Sequence, residues 1–149
     1  MNGILTYQSG VPIQISANNT LPLFNSVNTP NPVAGQRVEN SFSGFDPAKN
    51  VLLNAAAFTL PGANQYGSSA QILPNARSFP VYNEDLGLQK KFFIREPSLY
   101  FELRFELFNA FNRVIFGGPA TNINSANFGV VNSQGNSPRN GQIAAKFYF

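Results

Sequence analysis

The chain has 149 residues, of which 43% are hydrophobic and only 11% are charged, whereas a soluble domain usually carries about 25% charged residues. It contains no His and no Cys, which excludes a Ser-His or Cys-His catalytic couple, an imidazole or thiolate metal site and a disulfide framework. The net charge is +3, but the Lys and Arg residues are scattered along the chain, which argues against a nucleic-acid-binding surface.

The N-terminal segment predicts a first β-strand over residues 3–16. Apolar side chains take odd positions and polar ones take even positions, and this alternation is typical of a strand with two different faces. The odd-numbered apolar residues are Leu5, Tyr7, Val11, Ile13 and Ile15. Ile4 and Pro12 interrupt the pattern, and a proline within a strand indicates a bulge or an edge.

Two further strands, over residues 85–95 and 99–111, are predicted to form an antiparallel hairpin through the short connection 96–98. One face of the second strand is apolar and consists of Leu99, Phe101, Leu103, Phe105 and Leu107. The other face is polar and consists of Tyr100, Glu102, Arg104 and Glu106. The first strand alternates in the same way, with Lys90 as the one charged residue on its apolar face. The stretch Phe108-Asn109-Ala110-Phe111-Asn112 is predicted to close the second strand, with the asparagines turning the chain.

Matching these faces limits the register of the hairpin, because a shift by one residue would bring apolar side chains opposite polar ones. We expect the register that sets Lys91 opposite Arg104 and Phe93 opposite Glu102. Lys91 then lies diagonal to Glu102 and Glu106, where opposite charges attract across the strands. The predicted result is a charge ladder made of Lys91, Glu102, Arg104 and Glu106.

A last strand is predicted over residues 142–149, with an apolar face made of Ile143, Ala145, Phe147 and Phe149. This pattern and its terminal aromatic residue resemble the C-terminal signal by which the barrel-assembly machinery recognises outer-membrane proteins. The alternative is that the four residues are one apolar face of an ordinary strand.

The connections between the predicted strands are very unequal in length. The segment 96–98 is short, whereas segments 17–84 and 112–141 are long, polar and without clear periodicity. Compact soluble domains seldom contain structureless loops beyond about 12–15 residues, but transmembrane β-barrels combine short periplasmic turns with long outer loops. The sequence has no run of about 18 apolar residues that would form a transmembrane helix and no signal-peptide pattern.

These observations predict an all-β fold, an antiparallel meander of about four strands with long loops that forms part of a transmembrane β-barrel. In this interpretation the face that carries Leu103 and Phe105 contacts lipid, and the charge ladder faces a wet lumen. The alternative is a soluble or secreted all-β binding or adhesin module, in which the same apolar face is buried in a sandwich core.

Several short stretches carry a resemblance to one family. Their residues are Phe105-Glu-Leu-Phe-Asn-Ala-Phe-Asn112, Phe116-Gly-Gly-Pro, Asn127-Phe128-Gly129 and Gln142-Ile-Ala-Ala-Lys-Phe-Tyr-Phe149. Together they resemble the C-terminal end of Oar-like TonB-dependent outer-membrane receptors. Asp85-Leu-Gly-Leu-Gln-Lys-Lys-Phe92 and Tyr7-Gln-Ser-Gly-Val-Pro12 resemble the strands that precede that end in the family.

The resemblance implies a 22-strand barrel with an N-terminal plug that binds or imports a substrate with energy relayed by TonB. Only the last four strands of such a barrel have a counterpart in this chain, so we expect it to be the C-terminal segment of a longer protein. The partners implied are outer-membrane lipid, the rest of the barrel and the plug, the TonB complex and the barrel-assembly machinery. We expect no catalytic residue, cofactor or metal site, because a scaffold of this kind does no chemistry.

Overall fold

The computed structural model describes residues 1–21, 26–95 and 99–149 and contains one short 3-10 helix, Ala55–Ala57, beside its strands. The strands are β1 (Asn2–Gln8), β2 (Pro12–Gln14), β3 (Asn31–Pro32), β4 (Phe58–Thr59), β5 (Ile72–Arg77), β6 (Val81–Arg95), β7 (Leu99–Phe108) and β8 (Asn140–Tyr148). The all-β fold predicted from the alternation is therefore confirmed. No helix in the described part of the chain has the length and hydropathy needed to span a membrane.

The described residues divide into two compact units. The first, called here the sheet unit, comprises Met1–Ser9, Pro80–Ile115 and Gln134–Phe149. The second, called the connection unit, comprises Gly10–Phe79 and Phe116–Ser133.

The sheet unit is a four-stranded antiparallel sheet in the order β1-β6-β7-β8. The order is that of the predicted meander, because each strand pairs with the next long strand along the chain. Gln8 pairs with Val81 and Phe108 pairs with Asn140, so the two long connections leave from the same end of the sheet. The predicted turn 96–98 lies outside the described residues.

The strand bounds differ from the predicted ones, since β7 ends at Phe108 rather than at residue 111 and β8 covers Asn140–Tyr148 rather than residues 142–149. Strand β6 begins at Val81 rather than at residue 85, because β1 pairs with it over Val81 to Gly87. The predicted strand 3–16 is divided between β1 and β2, and β2 pairs with β5 in the connection unit. The division falls at Gly10, where a Cβ atom would lie 1.7 Å from the Ser78 carbonyl oxygen, so only glycine fits there.

The register of the β6–β7 hairpin corrects the prediction by two residues. Lys91 is opposite Glu102 rather than Arg104, and Phe93 is opposite Tyr100 rather than Glu102. The faces still match, because a shift by two residues leaves every side chain on its own side. The observed register is favoured physically, since it pairs opposite charges directly and removes the contact between two cations that the predicted register requires.

The connection unit shows that the long segments are not structureless. This unit contains the four short strands β2, β3, β4 and β5 and a buried apolar cluster made of Ile13, Ile15, Leu52, Leu53, Ala57, Phe58, Leu73, Ala76, Phe79, Phe128 and Val131. The rings of Phe45 and Phe116 pack against the ring of Phe79 in this cluster, at centroid distances of 4.8 and 4.9 Å. Two segments far apart in sequence thus share one core, which explains how they remain folded with so few hydrogen-bonded strands.

Candidate functional site

One face of the sheet unit is largely apolar, although it also carries Lys90 opposite Leu103, as predicted, and Glu84 opposite Leu5. On β7 the residues predicted to face lipid are Leu99, Phe101, Leu103, Phe105 and Leu107, and all five lie on this face. They lie beside Leu88 and Phe92 of β6 and beside Ile143 and Phe147 of β8. Leu103 and Phe105 are 39% and 40% exposed, and Ile143 is 72% exposed. Large contiguous apolar surfaces of this kind are rare on soluble monomers and mark a contact with lipid or with protein.

The opposite face carries the charges in cross-strand rows. Lys91, Glu102 and Lys146 form one row across β6, β7 and β8, and Gln89, Arg104 and Ala144 form the next. Glu102 is nearly fully buried at 4% exposure. The sheet thus has one apolar and one charged face, which is the division that the alternation predicts.

The predicted charge ladder is only partly connected by ion pairs. Arg104 lies 3.2 Å from the carboxylate of Glu102 and 3.9 Å from that of Glu106. Gln142 donates a hydrogen bond to the second oxygen of Glu106. Lys91 does not join this network, because its Nζ atom lies over the ring of Tyr100, 5.1 Å from the centroid. The carboxylates are therefore neutralised along β7 rather than across the hairpin.

An aromatic row crosses the charged face at the end of the sheet that carries Arg95 and Leu99. Phe93 lies 5.5 Å from Tyr100, and Tyr100 stacks on Tyr148 with centroids 4.4 Å apart and planes 17° apart. The two tyrosines share the face of Glu102, so they lie on the charged side of the sheet and not on its apolar side.

At the other end of the sheet lies a buried ion pair that the sequence did not indicate. The Glu84 side chain is 1% exposed, and both of its oxygens accept from Nε of Arg113 at 2.9 Å. The Tyr7 hydroxyl donates to the same carboxylate at 2.8 Å. The hydrogen bond to Glu84 is the main cause that raises the pKa of Arg113 above its ordinary value. The guanidinium also lies 5.9 Å from the rings of Tyr82 and Phe111.

The ion pair could not be predicted from the sequence, because Glu84 falls in the predicted loop 17–84 and Arg113 is one of several scattered basic residues. The only signal was that Glu84 and Asp85 are adjacent carboxylates at the start of an alternating segment. A strand that extends over both would give them opposite faces, which is what β6 does.

The turn after β7 is organised around Asn109. Its side chain donates to the carbonyl oxygens of Arg113 and Ser137 at 2.8 and 3.1 Å and accepts from the Arg113 amide at 2.7 Å. Asn109 and Asn112 have φ of 50° and 52°, the left-handed conformation that asparagine tolerates better than most residues. The prediction that these asparagines turn the chain is confirmed.

The C-terminal strand presents the predicted assembly residues on the apolar face. Ile143 pairs with Phe105, Ala145 pairs with Leu103, and Phe147 pairs with Phe101. The terminal Phe149 is 98% exposed and its ring lies 6.4 Å from that of Phe147. In the described sheet β8 pairs on one side only, with β7.

Comparison with protein families identifies the class of protein. The model of the outer membrane beta barrel domain family matches residues 1–142 of the chain. The chain therefore belongs to this family and is a segment of a membrane barrel located in the outer membrane. Comparisons with curated proteins and with solved structures give no match.

The family match and the exposure of the apolar face both argue against the alternative, a soluble all-β sandwich. A sandwich core would bury Leu103 and Phe105 against a second sheet, but both side chains are more than one third exposed. The same surface is favourable in an outer membrane, because lipid replaces water on that side of a barrel strand.

Proposed function

We propose that the chain forms the C-terminal part of the barrel of a TonB-dependent, Oar-like outer-membrane receptor that binds a substrate and takes it up. It serves as a wall and binding surface without catalysis. The assignment to an outer-membrane barrel comes from the family. The TonB-dependent role is supported by the resemblance of the stretches Phe105–Asn112 and Gln142–Phe149 to the end of such receptors.

The observation that carries the proposal is the two-faced sheet with both long connections at one end. An apolar face and a charged face are what a barrel wall needs between lipid and a wet interior. The proposed roles follow from this arrangement. Leu103 and Phe105, with their neighbours on the same face, contact lipid, and Glu102, Arg104 and Glu106 line the lumen. The two long connections then leave the sheet at its outer end.

The partners proposed are the remaining strands and a plug, the TonB complex and the barrel-assembly machinery. Four twisted strands do not close a barrel, for which about eight is the smallest number in membranes. Unpaired backbone groups at the outer edges of β1 and β8 would be costly in lipid, so further strands must pair with them.

A cysteine scan of β7 tests the proposed faces. The chain has no native Cys, so each single substitution gives a unique label. We expect Phe105→Cys to be labelled only by a membrane-soluble maleimide and Arg104→Cys to be labelled by a water-soluble one in intact outer membranes. Equal labelling of both positions by the water-soluble reagent contradicts a wall between lipid and lumen.

Removal of TonB tests the finer assignment. Substrate uptake by the full receptor should be lost in cells without TonB and should return when TonB is restored. Uptake at an unchanged rate in both strains contradicts a TonB-dependent role and leaves the outer-membrane barrel assignment intact.

Deletion of Phe149 tests the proposed assembly signal. In the full receptor the deletion should reduce the amount of folded, heat-modifiable barrel in the outer membrane, whereas Tyr148→Phe on the opposite face should leave it unchanged. An unchanged yield after the deletion means that the four terminal apolar residues act only as part of a strand.

A further inference from the structure

A cleft of about 320 Å³, lined by both apolar and polar groups, opens on the charged face where the long connections leave the sheet. It lies wholly within the sheet unit, and its volume is at the lower end of the range of about 300–1,000 Å³ usual for small-ligand sites. Its lining includes Asn83, Asp85, Phe108, Asn136, Ser137 and Asn140. None of these residues belongs to the charge ladder.

Part of the lining is held in place by hydrogen bonds. Oδ1 of Asp85 accepts from the Asn109 amide at 2.8 Å and from the Asn83 side chain at 3.0 Å. Asn136 is fixed through the Ile115 amide and the Arg113 carbonyl oxygen at 2.9 and 2.8 Å. A site whose polar groups are fixed before binding loses little conformational entropy when a ligand arrives.

Other polar groups of the lining remain available. Oδ2 of Asp85, Oδ1 of Asn83, the Ser137 hydroxyl and the Asn140 side-chain amide make none of the hydrogen bonds that hold the cleft together. These groups include both donors and acceptors. They suit a ligand with several hydroxyl groups, each of which donates and accepts.

An aromatic ring supplies the apolar side of the cleft. Phe108 is 43% exposed and lies opposite Asn140 in the sheet register. A half-exposed ring beside several free polar groups suits a ligand with one flat face of C–H groups and a rim of hydroxyls, which is the shape of a sugar ring.

We propose that this cleft binds a neutral carbohydrate, with one sugar ring on Phe108 and its hydroxyls bonded to Asp85, Asn83 and Asn140. The charge favours a neutral ligand, because the lining contains no Lys or Arg and its single ionisable side chain is the Asp85 carboxylate. An anionic ligand would approach that carboxylate without a compensating cation. The inference rests on the proposed function, in which this end of the sheet is the outer mouth of the barrel and meets the substrate first.

Saturation-transfer NMR on the full receptor tests the proposal. The receptor is purified in lauryldimethylamine oxide, a detergent without a sugar headgroup, and is titrated with maltotriose, cellotriose and trigalacturonate. We expect saturation transfer to ring protons of at least one neutral trisaccharide and none to trigalacturonate. Phe108→Ala should weaken that binding by about tenfold, and Phe108→Tyr, which keeps the ring, should retain it. Asp85→Asn should allow trigalacturonate to bind.

Phe93→Ala is the matched control, because Phe93 is a similarly exposed ring on the same face at the far end of the sheet. It should bind the sugar as the unaltered chain does. Two results would overturn the proposal: no saturation transfer from a receptor with intact β-structure to either neutral sugar, or equal binding by Phe108→Ala. None of these readouts involves TonB or uptake, so failure of the cleft and failure of the TonB-dependent role are observed separately.

Discussion

At the scale of single residues, the end of the sheet is held by a few side chains that bond to segments distant in sequence. Asn109 joins the turn to the segments of Arg113 and Ser137, and Glu84 joins Arg113 to Tyr7 of β1. The bonds connect segments distant in sequence, and those of Asn109 fix the backbone at Arg113 and Ser137, which no strand pairing fixes. Removing one of these side chains should lower the free energy of unfolding by more than the value of its own hydrogen bonds, because the buried polar groups that remain are left without partners.

The Asn109 side chain offers the first prediction. Asn109→Ala and Asn112→Ala both place alanine in the left-handed conformation and pay a similar backbone cost. Asn109 is 5% exposed and makes three side-chain hydrogen bonds, whereas Asn112 is exposed and accepts one long bond from the Arg139 amide. We therefore expect Asn109→Ala to lower the free energy of unfolding by about 1–3 kcal/mol more than Asn112→Ala does. Urea unfolding in detergent measures the difference, and equal values would show that backbone strain alone matters.

The buried ion pair offers the second prediction. Glu84→Gln should lower the temperature at which β-structure is lost by far more than Glu106→Gln, because the Glu84 side chain is 1% exposed and that of Glu106 is 26% exposed. Circular dichroism during heating in detergent makes the comparison, and similar losses would contradict it. Arg113 contributes no pH dependence near neutrality. Since its pKa is raised, the stability that it adds is complete at ordinary pH and is lost only in strong alkali.

At the scale of the strands, the alternation was sufficient to predict which residues share a face but not which residues lie opposite one another. The faces of β6, β7 and β8 follow the predicted parity at every pair from Leu86–Leu107 to Phe93–Tyr100. The register of the hairpin was wrong by two residues, because parity alone does not distinguish shifts by two. What distinguishes them is the sum of side-chain contacts, here Phe92 with Phe101 and Phe93 with Tyr100, together with a register that sets Lys91 opposite Glu102 rather than opposite Arg104.

Cross-linking between paired cysteines tests that register directly. Leu88 and Phe105 are partners in the structure, whereas the register expected from the sequence would pair Lys90 with Phe105. The Leu88→Cys/Phe105→Cys variant should therefore form a disulfide under mild oxidation, and Lys90→Cys/Phe105→Cys should form much less, because its sulfur atoms lie too far apart. The chain lacks other cysteines, so electrophoresis with and without reductant gives an unambiguous result. The reverse outcome would restore the predicted register.

At the scale of the whole molecule, the sequence indicates the barrel wall and misses the connection unit. Barrel strands can be predicted from the local alternation of apolar and polar residues. The core of the connection unit depends instead on contacts between segments that are distant in sequence. The Leu52 amide bonds to the Gly129 carbonyl oxygen at 2.7 Å, and the Ile123 amide bonds to the Ser16 carbonyl oxygen at 2.9 Å. A Cβ atom at Gly129 would lie 2.4 Å from the Leu53 carbonyl oxygen, so the packing there depends on a glycine with φ of 78°. Contacts of this kind produce no periodic pattern of apolar and polar residues in the sequence, so the pattern could not predict them.

A core substitution distinguishes a folded connection unit from a set of loops. Leu53 is fully buried in the apolar cluster, and Leu60 is 52% exposed in the same unit. Leu53→Ala removes buried methyl groups and leaves a cavity, so it should destabilise the unit by about 2–5 kcal/mol. The matched change Leu60→Ala should have an effect within about 0.5 kcal/mol, as is usual for exposed positions. Hydrogen exchange of residues 10–79 and 116–133 measures both. If Leu53→Ala leaves the amide protection of these residues unchanged, the long segments hold together without the core, and the original expectation of structureless outer loops is the better description.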